Sequence, residues 1–258
     1  MSASETPTGP PIATRGVRVR HGDFTEPASL AEAFEGATQV LVVSAATTGA
    51  SAVDQHAAVF QAALAVGARR LVYTSHQAAR EDSLFAPMPD HAATERYLAG
   101  TDAPFTALRN GFYASFVPRL LAQALQTGQL IAPADGPVSW TTHADLAEAA
   151  GIILADEDRF EGPTPPLTAP EAFDLQAVAG ILSDLTGRPV RRVIADDTEF
   201  VAGMVGRGVP QGQADMLLGM FRASRRGEFA TTNPTLENLI GRPTTSLRSV
   251  LQKVTKAS

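Results

Sequence analysis

The sequence contains no cysteine and only two lysines, Lys253 and Lys256, both within the last six of its 258 residues. Without cysteine the chain forms no disulfide, thiol nucleophile, zinc ribbon or iron–sulfur cluster, and a cytoplasmic location is favoured. A phosphate-binding P-loop needs Gly-Lys-Ser/Thr, and a Schiff-base enzyme needs a buried amine. Two lysines at the end of the chain supply neither.

Other catalytic signatures are also missing. The Tyr-x-x-x-Lys pair of the common short-chain dehydrogenases is absent, because the positions four residues after Tyr73, Tyr97 and Tyr113 hold Gln, Thr and Val. The sequence has no Gly-x-Ser-x-Gly elbow for a serine hydrolase, and no group of histidines and carboxylates has metal-ligand spacing. We therefore expect no metal site.

Charge and hydropathy limit the kinds of partner. The net charge is −6 and basic residues do not cluster, which argues against a nucleic-acid partner. No stretch approaches the roughly 18 consecutive apolar residues of a membrane span. A small-molecule substrate, or a second copy of the chain, is the expected partner.

Short apolar runs alternate with helical patterns in the first half of the chain. Val40–Ser44 and Arg70–Thr74 are continuous runs rich in β-branched residues, typical of strands buried on both faces of a parallel sheet. Phe105–Leu108 repeats this pattern, and Val17–Arg20 precedes all three as a further predicted strand. The alternation predicts an α/β fold with a Rossmann-like, doubly wound parallel sheet.

After residue 129 the pattern becomes mostly helical, which predicts a smaller second lobe from about residue 160. The segment Gly206–Gly212 has three glycines but follows a helical pattern and contains a proline, so we interpret it as an inter-helix loop. Residues 1–14 are rich in Ser, Thr, Pro and Gly and predict a flexible tail. Predicted helices cover Thr25–Phe34, Ala52–Val66, Asp90–Leu98, Phe112–Leu125, Thr142–Ala155, Pro170–Thr186, Thr198–Val205, Gln213–Arg226 and Thr245–Val254.

Residues that follow the predicted strands are the candidate site, because ligands of doubly wound sheets bind beyond the carboxyl ends of the strands. His76 is either a proton-transfer or binding group in that crevice or a surface-loop histidine. His91 and Glu95 are four residues apart on a predicted helix, so they can pair. Arg109 is expected in a salt bridge at the sheet end. Aromatic residues that form either a pocket for a planar substrate or helical core are Phe112, Tyr113, Phe116 and Trp140.

Several blocks, in order, resemble those of the NmrA-like atypical short-chain dehydrogenases/reductases, and most nearly the bacterial NAD(P)H:quinone oxidoreductase-like branch. These blocks are RGVRVRHGDFTEPASLAEAFEGATQVLVVSA, ARRLVYTSHQA, HAATERYL, PFTALRNGFYASF, THADLAEAA and LTAPEAFDLQAVAGILSDLTGRPVRRV. The resemblance implies an oxidoreductase that transfers hydride from NADP or NAD to a small planar acceptor such as a quinone. It also implies a partial NAD(P)-binding domain over residues 15–160 and a substrate-binding lobe over residues 161–258.

Positions after the predicted strands and the resemblance together indicate roles for particular residues. His91 and Tyr113 are the candidate catalytic residues. Candidate cofactor-binding residues are Asp23, Phe24, Ser44, Ala45, Ser75, His76 and Asn110.

The sequence departs from the family at one important place. The family begins with a strand, a Gly-rich turn, a helix and a second strand, and this sequence contains none of them. The Gly-rich turn brings backbone N–H groups and a helix N-terminus to the cofactor's pyrophosphate, so dinucleotide binding loses its main anchor. The two missing strands would leave a sheet edge beside Val40–Ser44, where we expect a second copy of the chain to associate.

Two alternatives to the reductase stay open. The family includes sensors and regulators, so a cofactor-free binding protein that keeps the substrate crevice is the first. The second is a non-redox isomerase or cyclase that uses His76, His91 or Tyr113 for proton transfer.

Overall fold

Four short parallel strands form the central sheet of the computed structural model, in the order β1-β2-β3-β5. The described part of the chain comprises residues 14 and 16–257; the tail predicted over residues 1–14 lies outside it except for Thr14. No helix among the described residues is long and apolar enough to cross a membrane. The strands of this sheet are β1 Gln39–Val42, β2 Arg70–His76, β3 Phe105–Asn110 and β5 Gly162–Pro163.

Helices cover both faces of this sheet. On one face, Phe60 and Leu98 pack against Tyr73 of β2, and on the other, Ile153 and Leu236 pack against Val72. β2 is buried along almost its whole length, and its central residues 71–73 are consecutive and apolar instead of alternating with polar ones. The covering helices are α1 Pro27–Phe34, α2 Ala50–Ala65, α3 Pro87–Ala99, α5 His143–Ala155 and α9 Thr235–Ile240.

A second group of elements packs beside the sheet. Its two-stranded parallel sheet pairs β4 Gln129–Pro133 with β6 Arg191–Ala195. A separate hydrophobic core fills this region, with Phe221 and Phe229 among its largest fully buried side chains. Its helices are α4 Val117–Thr127, α6 Leu175–Thr186, α7 Asp197–Gly206, α8 Gln211–Arg225 and α10 Leu247–Ala257.

The predicted fold class is confirmed: the described residues form an α/β structure with a parallel sheet between helical layers. The domain boundary predicted at residues 160 and 161 stays a prediction. β5 follows it and pairs with β3, whereas β4 precedes it and pairs with β6.

Some predicted elements are wrong in type or position. Val17–Arg20 is not a strand; its Val19 is exposed, and Arg20 donates instead to backbone carbonyls at the end of α1, among them that of Glu32. Helix α3 begins at Pro87 instead of at Asp90, because proline is favourable in a first helical turn. Gly206–Gly212 lies where predicted, between α7 and α8.

Candidate active site

A cavity of about 440 Å³ lies beyond the carboxyl ends of β1, β2 and β3. This is the edge of a doubly wound sheet at which ligands bind. Its volume is within the range typical of small-molecule sites. The lining residues are Ser44, Ser75, His76, Phe85, Pro87, Met88, His91, Phe112, Tyr113, Ser115, Phe116, Arg119, His143, Met216, Leu217 and Met220.

The segment after β1 is held against two helices. The Ser44 backbone N–H donates to Thr74 Oγ1 (2.9 Å), and the Ala45 N–H donates to Nε2 of His56 on α2 (2.9 Å). The Gly49 N–H donates to Oδ2 of Asp90 on α3 (2.7 Å). Ser44 therefore lies at a defined place on the cavity wall, whereas Ala45 lies directly behind it.

A buried polar network forms the floor of the cavity. Ser75 Oγ donates to Glu95 Oε1 (2.6 Å), and the Arg109 guanidinium donates to both oxygens of the same carboxylate (3.0 and 2.7 Å). A buried charge is tolerated only when it is paired and hydrogen-bonded, and both conditions are met for Glu95. The network joins β2, β3 and α3, and it confirms the expected salt bridge of Arg109.

The predicted pair between His91 and Glu95 is wrong. Spacing of four residues on a helix permits contact, but the carboxylate of Glu95 is fully used by Ser75 and Arg109. His91 Nδ1 instead hydrogen-bonds the Tyr73 hydroxyl (2.8 Å). His91 is therefore oriented by a phenol from β2.

The histidines of the cavity are neutral at physiological pH. Burial lowers the pKa of His76 to about 3 and that of His91 to about 4; the nearby His91 adds to the effect on His76, and the nearby His56 adds to the effect on His91. His76 Nδ1 accepts the Ala78 N–H (3.1 Å), so its proton is on Nε2. His76 lines the cavity, which excludes the surface-loop interpretation.

Tyr113 lies at the mouth of the cavity, where it is 37% exposed. Its ring contacts His143, with the two centroids 4.1 Å apart. Burial raises the pKa of the Tyr113 hydroxyl and lowers that of the His143 imidazole. The phenol therefore stays protonated at neutral pH.

Asn110 is buried at the carboxyl end of β3 and does not itself line the cavity. It is the register partner of His76, so the two side chains leave the sheet on the same face. Among the described residues, its Oδ1 is the one buried side-chain polar atom without a hydrogen-bond partner. An unsatisfied buried acceptor costs stability, so it is a reason to expect a donor from a ligand.

Of the four aromatic residues expected to form a pocket or a core, Phe112, Tyr113 and Phe116 line the cavity. Trp140 does not line it: its indole is buried and donates to the Phe173 carbonyl (3.1 Å). The pocket prediction and the core prediction are thus each right for part of the set.

Helix α8 forms the outer wall through Met216, Leu217 and Met220, none of which the sequence indicated. Gly219 lets this helix approach closely, since a Cβ there would lie 2.5 Å from the Leu84 carbonyl oxygen. Sequence patterns show only that α8 is amphipathic, because its contact with the cavity arises from packing between elements far apart in the chain.

Four of the seven candidate cofactor residues do not line this cavity: Asp23, Phe24, Ala45 and Asn110. Asp23 Oδ1 accepts from the backbone and the hydroxyl of Thr25 (both 2.7 Å), an ordinary Asx-turn. Phe24 lines a separate open groove beside Arg20 and Gly22. No three His, Asp or Glu side chains in the described part of the chain lie close enough to hold a metal ion.

Together these features define a class: a doubly wound α/β protein with a largely apolar ligand cavity at the carboxyl edge of its sheet. Comparison of the sequence with known protein families assigns the chain to one family within that class. The profile of the NmrA-like family matches residues 5–255, and the chain belongs to this family.

Individual relatives agree with this assignment. The chain is 33% identical to quinone oxidoreductase 2 of Escherichia coli (strain K12) over 237 residues, which is 92% of this chain and 82% of the relative. It is similar to the crystal structure of the NADPH-dependent quinone oxidoreductase QOR2 of Escherichia coli complexed with NADPH, with TM-score 0.86, 31% identity and coverage of 95% and 85% of the two chains. The structure of a Citrobacter sp. triphenylmethane reductase complexed with NADP(H) is similar too, with TM-score 0.86, 31% identity and coverage of 94% and 86%.

Proposed function

We propose that this protein is an NAD(P)H-dependent oxidoreductase that transfers hydride to a small planar acceptor such as a quinone. The observation that carries the proposal is the cavity at the carboxyl ends of β1, β2 and β3, whose wall combines aromatic rings with neutral hydrogen-bonding groups. The relatives named above, a quinone oxidoreductase and NADP(H)-bound reductases, support the same activity.

The residues present fit the reactive end of the cofactor. Ser44, Ser75 and His76 offer polar groups at the sheet edge, and the unpartnered Oδ1 of Asn110 needs a donor such as a carboxamide NH2. In the described part of the chain, no Gly-rich turn joins a parallel strand to a helix N-terminus, so these residues account for the nicotinamide end and not for the pyrophosphate. When bound, NAD(P)H supplies the hydride.

The side chains position the acceptor and hold a proton near it. Reduction of a quinone to a hydroquinone by hydride consumes one hydride and one proton, and the hydride alone would leave an oxyanion. A phenol is protonated at neutral pH, so the Tyr113 hydroxyl, which lines the cavity, can donate to that oxygen. Tyr113 is partly exposed, so solvent can restore the proton. His91, fixed by Tyr73, offers a second neutral imidazole on the same wall.

The non-redox alternative has less support. A general acid or base works best with a pKa near the operating pH. Burial lowers the pKa of His76 to about 3 and that of His91 to about 4. These groups are better suited to hydrogen bonding than to repeated proton abstraction from carbon.

The second candidate function is a cofactor-free binding protein that uses the same cavity. One observation favours it: the pyrophosphate turn is not found among the described residues. The contribution of Met216, Leu217 and Met220 to the cavity supports the substrate-binding role proposed for residues 161–258. The cytoplasmic location inferred from the absence of cysteine stays a prediction.

Turnover with a neutral quinone tests the proposal. The wild-type protein is mixed with NADPH or NADH and menadione, and cofactor oxidation is followed by absorbance. Tyr113→Phe should lower kcat by roughly tenfold or more, since a positioned proton donor contributes about 100-fold in typical enzymes. Tyr97→Phe is the matched control, because Tyr97 accepts from Gln61 and packs on Phe60, outside the cavity lining. Absence of turnover with both cofactors, or equal kcat in the two variants, would contradict the assigned roles.

A further inference from the structure

Arg119 forms no ion pair with any residue in the described part of the chain. Its side chain lines both the cavity and an adjoining open groove of about 1000 Å³. Its guanidinium also lacks a hydrogen bond to any of the described residues. Arginines elsewhere near the site are paired, as Arg109 is with Glu95.

The place of Arg119 in its helix is electrostatically unfavourable. It lies in the first turn of α4, where the helix dipole disfavours a positive charge. That turn contains no acidic residue to offset the charge. Structural stability of α4 therefore gives no reason for an arginine at this position.

Arg119 also determines the sign of charge inside the cavity. The cavity lining contains no carboxylate. Its histidines are His76, His91 and His143, and the pKa of each is lowered by burial. The adjoining groove has one acidic residue in its lining, Asp215, whose Oδ1 accepts from Gln211 (2.9 Å). At neutral pH the cavity is thus an apolar pocket with one positive charge at its rim.

We propose that Arg119 selects aromatic acceptors that carry an anionic group, a carboxylate or a sulfonate. The aromatic part of such a molecule would lie against Phe112, Phe116 and Met216, and its anionic substituent would reach the rim. The planar guanidinium donates two parallel hydrogen bonds to such a group, which a neutral side chain cannot do. This inference names the substrate class of the proposed reductase and therefore rests on that function.

The test compares two quinones in the same variants. Menadione is neutral, and 1,4-naphthoquinone-2-sulfonate carries one negative charge. Arg119→Gln should raise the KM for the sulfonate about tenfold more than the KM for menadione, since a factor of ten corresponds to about 1.4 kcal/mol. Arg119→Lys should retain part of the preference for the sulfonate, because lysine keeps the positive charge but cannot donate the two parallel hydrogen bonds of a guanidinium. The quantity compared between variants is the ratio of the two KM values, so that a difference in intrinsic reactivity between the quinones cancels.

Arg159→Gln is the matched control. It removes the same charge, and Arg159 lies just before β5, close to Phe160, whose carbonyl contacts Thr106 near the start of β3. This is the opposite end of the sheet from the cavity. Its KM ratio should equal that of the wild type, and 0.5 M KCl should reduce the sulfonate preference of the wild type but not of Arg119→Gln.

Calorimetric binding of 2-naphthalenesulfonate and 2-naphthol, without cofactor, separates this inference from the proposed function. If the wild type reduces neither quinone but Arg119→Gln selectively loses sulfonate binding, the reductase proposal fails and the role of Arg119 stands. If the KM ratio and sulfonate binding are unchanged in Arg119→Gln, the inference is wrong whatever the activity. A loss of NADPH affinity with an unchanged quinone ratio would also overturn it.

Discussion

Three buried histidines should make this protein lose stability in mild acid. His56, His76 and His91 lie around Tyr73 and the cavity wall, and burial lowers the pKa of each, to about 4, 3 and 4 respectively. The unfolded chain restores a pKa near 6.5. Between these values the unfolded chain binds more protons than the folded one, so the free energy of unfolding decreases as pH decreases.

The hydrogen bonds of His56 explain why its imidazole must stay neutral. Nε2 accepts the Ala45 N–H, and Nδ1 lies 2.9 Å from Thr94 Oγ1. Thr94 donates its own proton to the Asp90 carbonyl (2.8 Å), so Nδ1 of His56 must be the donor. A second proton on Nε2 would break the contact to Ala45 and release the segment that carries Ser44.

The size of the effect follows from linkage. A pH of 5 is about 1.5 units below the pKa of a histidine in the unfolded chain, so that histidine is protonated, whereas the buried one is still mostly neutral. Each such group therefore lowers the free energy of unfolding by about 2 kcal/mol. Three groups together cost about 6 kcal/mol, comparable with the typical 5 to 15 kcal/mol that holds a protein folded. Carboxylates titrate mainly below this window and contribute little.

The assay is urea unfolding followed by circular dichroism at pH 8, 7, 6 and 5 at constant ionic strength. The quantity to compare is the loss of unfolding free energy between pH 8 and pH 5, because each substitution also changes stability at pH 8. This loss should be about 2 kcal/mol smaller in His56→Gln, His76→Gln and His91→Gln than in the wild type. His21→Gln, at an exposed position, should leave it unchanged. Equal losses in all four variants would refute the reasoning.

Further predictions concern the cavity floor, its outer wall and the sheet edge. Glu95→Gln leaves the partly buried Arg109 without its counter-ion and should destabilise the protein by about 2 to 3 kcal/mol in urea unfolding. This is below the range for a fully buried pair because Arg109 is one-third exposed. Glu148→Gln, in an exposed pair with Arg242, should lower the free energy of unfolding by less than about 1 kcal/mol. Gly219→Ala must displace the Leu84 carbonyl and should lower Tm and raise the KM for menadione, whereas Gly180→Ala, with open space around it, should do neither. We also expect association through the β1 edge, where Val43 is exposed; light scattering that shows only monomer well above micromolar concentration would count against it.

The sequence predicted the fold well where burial is complete. Arg70–Thr74 and Phe105–Leu108 have adjacent apolar residues instead of a strict alternation because both faces of their strands are covered, and both lie in central strands. Val17–Arg20 contains two valines, but its alternation with arginine reflects side chains that lie outside the sheet. A short alternating run has no property that distinguishes these two outcomes.

Site residues were predictable where they follow strands. Ser44, Ser75, His76 and Tyr113 were found from the rule that ligands bind at the carboxyl edge, and all line the cavity. The sequence did not indicate Arg119 as a site residue, because its role depends on which side chains lie near it in the folded structure.

The pairing of Glu95 was also beyond the sequence. Helical spacing put His91 within reach, yet the carboxylate is buried and a guanidinium from β3 is the stronger partner.

Equilibrium titration with NADPH and NADH tests the central claim most directly. Quenching of protein fluorescence and calorimetry should both report saturable binding with Kd in the micromolar range or below, a free energy of about −8 kcal/mol. Ser75→Ala should weaken that binding, and Tyr97→Phe, outside the cavity lining, should not. Absence of binding at millimolar concentrations of both cofactors would contradict the reductase account and favour the cofactor-free binding protein.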